Sequence, residues 1–150
     1  MSTQVLYFDD FKPGQTYATA RRTVTEADHV NFTTSFGFFE PLFMDRDFVT
    51  TSTPYEKPII PGTLTFSVAE GLTILSGLLH SGMAFLGVEL DVLKPVFIGD
   101  TLSVDIEVVD TRKTKKPDRG IVTFRHRVKN QAGVEVMVYM VKRMMRGKLR

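Results

Sequence analysis

The sequence predicts an α+β domain in which a long antiparallel sheet curls around one buried helix. Residues 61–76 form a helical stretch that is apolar on nearly every side, with Glu70 as its one charge. Everything after Gly82 reads as strands alternating between apolar and polar residues. At 150 residues the chain suits a single domain with a sizeable core.

The elements follow in order. Lys12-Pro13-Gly14-Gln15 is a turn, and Tyr17–Val24 is expected as a strand. Thr25 has the position of a helix N-cap, with Glu26 and Asp28 in the first turn where the helix dipole favours acids. That helix should stop near Gly37. Pro41–Phe48 suits another short helical turn. The main helix starts at Pro61-Gly62 and runs to Ser76, with small residues Ser67, Ala69, Gly71 and Ser76 that let a sheet come close. A turn at Ser81-Gly82 leads into strands at Met83–Val92, Thr101–Thr111, Gly120–Lys129 and Glu135–Met145. In the second of these Leu102, Val104, Ile106 and Val108 alternate with Ser103, Asp105 and Glu107, which predicts one buried and one wet face. Lys115–Gly120 and Asn130–Gly133 are the hairpin turns.

Composition narrows the function classes. A formal net charge of +2 argues against a nucleic-acid binder. The absence of cysteine removes disulfides, thiolate metal sites and a cysteine nucleophile. No stretch reaches the roughly 18 apolar residues of a membrane span, and Met1–Asp10 has no signal-peptide pattern. The expectation is a cytoplasmic protein without membrane contact. The three histidines, His29, His80 and His126, have no metal-ligand spacing, so neither a metal nor a cofactor is expected. His29 reads as exposed, and His126 as facing either the core or a subunit interface. Lys142, Arg143, Arg146, Lys148 and Arg150 read as outward strand charges and a tail.

Thr23–Gly37, Pro58–Thr65 and Leu93–Leu102, in that order and spacing and preceded by Phe11–Gln15, together resemble the MaoC-like hotdog family of acyl-CoA hydratases and dehydratases. The resemblance implies an antiparallel sheet wrapped around one central helix, at least a homodimer joined edge to edge, and an acyl-CoA or acyl-carrier thioester as ligand. Active members of that family carry glycine-aspartate, then asparagine-proline, a small apolar residue and histidine. The aspartate and histidine act on water and on the substrate α-carbon. The matching stretch here runs from Gly37 to Asp45. Gly37, Pro41 and Leu42 match, but Phe38 stands at the aspartate position, Glu40 at the asparagine and Phe43 at the histidine. Phenylalanine cannot transfer a proton.

Part of the chemistry survives this loss. A helix starting at Pro61-Gly62 presents free N–H groups and a positive dipole end, and the Gly62 N–H could polarise a thioester carbonyl. The plainer reading is a helix start chosen for geometry. Glu40, set among Phe36, Phe38, Phe39, Leu42, Phe43 and Met44, is expected to be desolvated, which suits a general acid or base. Its alternative is a surface carboxylate before Pro41. Phe38, Phe43, Tyr55, Pro61 and Thr63 are candidate substrate contacts, and Asp45 a cap or a partner for its neighbours. Lys115, Lys116 and Arg119 at the basic hairpin are either a solvated turn or a site for the phosphates of coenzyme A, reached from one subunit to the next. Three readings result: a hydratase or dehydratase rearranged around Glu40, a non-catalytic acyl-CoA-binding subunit, and a thioesterase using Glu70.

Overall fold

The computed structural model describes residues 4–148, so Arg150 lies outside the described residues. A single 3-10 turn, Phe8–Asp10, precedes β1 (Thr16–Ala18) and β2 (Arg22–Thr23). Then come α1 (Glu26–Phe36), α2 (Pro41–Met44), α3 (Arg46–Ser52) and the long α4 (Gly62–Leu75). Strands β3 (Gly82–Val92), β4 (Thr101–Lys113), β5 (Arg119–Lys129) and β6 (Glu135–Arg146) complete the chain. All pairings are antiparallel, in the order β1-β4-β5-β6-β3, with β2 also on β4.

The alternating pattern sets the core. Leu102, Val104, Ile106 and Val108 of β4 are fully or almost fully buried, as are Val122, Phe124, His126 and Val128 of β5. From β6 come Met137, Tyr139, Val141 and Met145. They pack with Leu64, Val68, Ala69 and Leu72 of α4 in one apolar cluster. Burying a side chain of the Leu or Val kind is worth about 1.5–3 kcal/mol, so this shared face dominates the fold's stability. The outward face of the sheet carries cross-strand ion pairs instead, Lys129 with Asp105 and Arg125 with Glu107. Exposed pairs of this kind contribute little, about 0–1 kcal/mol each.

Three expectations change. The strand expected over Tyr17–Val24 is broken between β1 and β2, where Thr19 instead exchanges hydrogen bonds with Val104 through its N–H and its Oγ1. Pro41–Phe48 holds two helices, because Asp45 ends α2 and caps α3 through the Phe48 N–H at 3.0 Å. Arg143 is not an outward charge. It falls on the inward phase of β6, where Glu70 neutralises it at 2.6 Å with the two side chains only 8% and 16% exposed.

Strand β3 departs from half-burial. It pairs on one side with β6, and among the described residues no strand covers its other edge. Met83, Phe85, Leu86, Val88 and Val92 on it are exposed. An open edge carrying this much apolar surface is the kind that pairs with another chain.

Candidate functional site

The segment from Val24 to Ile60 brings Phe43, Tyr55 and Ile59 beside the head of α4, and both of its ends are pinned to one loop. Val24 donates to the Asp100 carbonyl and accepts from the Gly99 N–H, each at 2.8 Å. Ile60 donates to the Val96 carbonyl at 2.9 Å, and Ile59 bridges Phe97. The loop keeps its shape because Gly99 takes φ +100° and the Asp100 carboxylate accepts from the Phe97 N–H at 2.9 Å. The three segments that carried the family resemblance therefore meet at one clasp.

Within the pinned segment α1 starts as expected. The Thr25 Oγ1 accepts from the Asp28 N–H and the Asp28 carboxylate accepts from the Thr25 N–H, a reciprocal capping box. Gly37 closes the helix in the left-handed region, φ +72°. His29 was expected at the surface, but it is buried and points toward α2. Its Nε2 lies 2.7 Å from the Phe43 carbonyl oxygen. A carbonyl only accepts, so Nε2 carries the hydrogen, and the buried Nδ1 has no partner among the described residues. The sequence offered one weak signal for this: His29 and Thr33 are four residues apart, hence on one helix face, and both are buried.

A cleft of about 330 Å³ opens at the head of α4. Gly62 forms its floor. Phe43, Tyr55, Ile59, Thr65, Val92 and Met137 are among its walls. Pro61 is the N-cap of α4, with φ −57° and ψ 141°. The Pro61 carbonyl accepts from the Leu64 and Thr65 N–H groups, and no described residue accepts from Gly62 N–H or Thr63 N–H. These two donors, together with the dipole of a 14-residue helix, aim partial positive charge out of the helix end. A Cβ on Gly62 would touch Val92 Cγ2 at 3.4 Å, so the missing side chain is part of what leaves the floor open. Tyr55 is held edge-on against Phe97, with ring centroids 6.4 Å apart.

Of the expected site residues, the structure brings Phe43, Tyr55 and Gly62 together, with Pro61 and Thr63 beside Gly62 in the chain. Phe38 packs behind Phe43 at a centroid distance of 6.3 Å and faces a different cavity. Glu40 is exposed at the N-cap of α2 and lines neither cavity, so the desolvated setting expected for it is absent. The aromatic neighbours that suggested burial do not enclose it: Phe36 and Phe39 are 69% and 60% exposed, and Phe38 packs on Phe32. The ionisable side chains that line the cleft are Tyr55 and Lys94. Among the described residues no carboxylate or imidazole lines it. Val92, Leu93, Val136 and Met137 were not singled out as lining, because β3 and β6 reach the cleft only through sheet pairing.

Lys115 and Lys116 are exposed at the tip of the β4–β5 hairpin, and Arg119 pairs with Asp118. That tip is at the opposite end of the sheet from the cleft. The 11 residues of β5 separate them, about 35 Å at the rise of an extended strand.

Glu70, the acid of the thioesterase reading, is held by Arg143 and accepts from the Tyr139 hydroxyl at 3.0 Å. Tyr139 stacks on His126 with ring centroids 4.4 Å apart. Thr73 donates its one hydroxyl hydrogen to the Ala69 carbonyl, so the 3.5 Å contact to His126 makes Nδ1 the donor. The Nε2 of His126 is left buried without a partner among the described residues. Burial, with the Arg143 charge, lowers the His126 pKa to about 3, and burial with Glu70 nearby pushes the Tyr139 hydroxyl up. Glu70 is thus a member of a packed polar network inside the fold. Among the described residues no cluster of acids and histidines could hold a metal ion.

Comparison with known proteins agrees with this layout. The MaoC-like domain family model matches residues 10–130. The (R)-specific enoyl-CoA hydratase of Aeromonas caviae is 36% identical over 95 residues, which cover 63% of this chain and 66% of that protein. The crystal structure of a MaoC-like dehydratase from Rhodospirillum rubrum superposes with a TM-score of 0.87 at 28% identity, covering 97% of this chain and 99% of that one. A Mycobacterium tuberculosis protein described as a double hotdog fold gives a TM-score of 0.87 at 23% identity over 96% of this chain and 45% of that one, a likeness of fold. The chain spans between 33% and 66% of the length of the curated relatives it matches. With the helix, the wrapped sheet and the clasped cover segment in place, the chain belongs to the MaoC-like domain family and has the hotdog fold.

Proposed function

We propose that this chain binds an acyl thioester, of coenzyme A or of an acyl carrier protein, in the cleft at the head of α4, and that the subunit by itself does not carry out the hydration. The observation that carries the reading is the pairing of a free Gly62 N–H at an open floor with phenylalanine at both proton-transfer positions. The thioester carbonyl sits over Gly62, polarised by its N–H and the helix dipole. The acyl group lies against Phe43, Tyr55 and Val92, an apolar wall suited to it.

The open β3 edge supports a homodimer in which two β3 strands pair antiparallel. In that arrangement the Val92 end of one copy lies beside the Gly82 end of the other. Gly82 pairs with Met145, and Met145 with Gly120, so the basic hairpin of one copy lies three strand spacings, about 14 Å, from the cleft end of its partner. Lys115, Lys116 and Arg119 then serve the phosphates of coenzyme A across the dimer, which one protomer alone cannot do.

A second reading, hydration by a site rearranged around Glu40, draws support from the hydratase and dehydratase names of the relatives. Calorimetric titration with butyryl-CoA and a hydration assay on crotonyl-CoA separate the two. The binding reading expects saturable binding and no turnover. Turnover by the purified chain that disappears in Glu40→Gln would replace it with the second reading.

A further inference from the structure

Phe43 borders two cavities. One is the cleft above Gly62. The other, of about 210 Å³, lies between α1 and the α2–α3 pair, with Val30, Phe38, Leu42, Met44 and Val49 in its wall. Pro58 lines this second cavity, while the next residues, Ile59 and Ile60, line the cleft. The two spaces are therefore neighbours along the chain, and Phe43 lines both. The backbone of Phe43 is fixed on both sides: its N–H donates to the Glu40 carbonyl at 2.9 Å, and its carbonyl accepts from His29 Nε2 at 2.7 Å. What remains free is rotation of the half-buried side chain between staggered wells.

The polar groups around the second cavity are largely committed elsewhere. Glu26 and Arg46 pair with each other, Asp45 caps α3, and the Thr33 and Thr34 hydroxyls donate back to α1 carbonyls. Apart from the Nδ1 of His29, unpartnered among the described residues, the space left for a ligand is apolar. We propose that the cavity between α1 and α2–α3 is a subsite for the far carbons of an aliphatic acyl chain, and that Phe43 is the residue setting chain length. In its observed position the ring closes the passage and the cleft takes short acyl groups. Swung aside or truncated, it joins the cleft to the subsite. This inference rests on the reading of the cleft as a thioester site.

The test is the ratio of octanoyl-CoA to butyryl-CoA affinity by calorimetry, for the wild type, Phe43→Ala and Phe43→Ala/Val30→Trp. Each methylene moved from water into an apolar pocket strengthens binding about fourfold. Burying even two of the four additional carbons therefore raises the ratio more than tenfold in Phe43→Ala. The indole at position 30, on an exposed site of the subsite wall, should return the ratio to the wild-type value. Phe43→Leu gives a smaller rise in the same direction if the alanine variant folds poorly. A ratio unchanged by Phe43→Ala and by Phe43→Leu, with butyryl-CoA bound, overturns the subsite alone. Failure of the wild type to bind butyryl-CoA overturns the thioester reading and the subsite with it.

Discussion

Acid should destabilise this protein through His126 before its carboxylates begin to titrate. The ring is completely buried, stacked on Tyr139, with Thr73 and Phe124 against it and Arg143 adding positive charge nearby. Its folded pKa of about 3 lies below the ordinary value of 6.5, so the unfolded chain takes up the proton first. The stability contributed by keeping the ring neutral is complete above about pH 6.5 and is lost as the pH falls towards 3. With these two pKa values, linkage gives a loss of about 2 kcal/mol between pH 7.5 and pH 5, where ordinary carboxylates are still ionised. Urea denaturation at the two pH values, on the wild type and on His126→Phe, checks it. Phenylalanine fits the stacked position and cannot titrate, so its unfolding free energy should fall by about 2 kcal/mol less than that of the wild type. His29 and His80 are present in both proteins and cancel in the comparison. Parallel pH dependence in the two proteins would show that His126 is protonated in the folded state at pH 5, and the reasoning from burial would be wrong.

Two further outcomes are expected. Gly62→Pro removes the N–H proposed to hold the thioester. Pro61 already has the ψ of 141° that a following proline requires, and the first helical position tolerates proline. Thermal stability should stay close to that of the wild type, while butyryl-CoA binding weakens at least about threefold to tenfold, the worth of one net hydrogen bond, with the added ring also narrowing the floor; unchanged affinity would remove Gly62 from the site. Val88→Lys places a charge on the open β3 edge at a side chain 40% exposed in the protomer, and sedimentation should then find monomers that bind CoA esters more weakly. A dimer that survives this change uses another surface.

Much of the fold was legible because the sheet face is written in a period of two. The buried residues of β4 and β5 are the ones the alternation marked, and the start of α1 followed from Thr25 and Asp28. Local rules failed where two elements share a decision. Arg143 looked like an outward charge until Glu70, 73 residues earlier, supplied its partner. Glu40 looked desolvated because its sequence neighbours are aromatic, yet Phe38 packs on Phe32 and Phe43 while Phe36 and Phe39 stay exposed, and Glu40 is left at the surface. His29 looked exposed because its partner, the Phe43 carbonyl, is a backbone group that no side-chain pattern announces.

The helix that starts at Pro61-Gly62, the strands that wrap it and the phenylalanines at 38 and 43, where the family resemblance implies aspartate and histidine, were all determined by the sequence itself. They depend on residue type and short spacing, which a chain carries in any conformation. Where the cleft opens, which side chains line it, and how far the basic hairpin stands from it were decided by the tertiary structure. Those are distances between residues far apart in the chain, set when β3 pairs with β6 and when the cover segment is pinned at Val24 and Ile60.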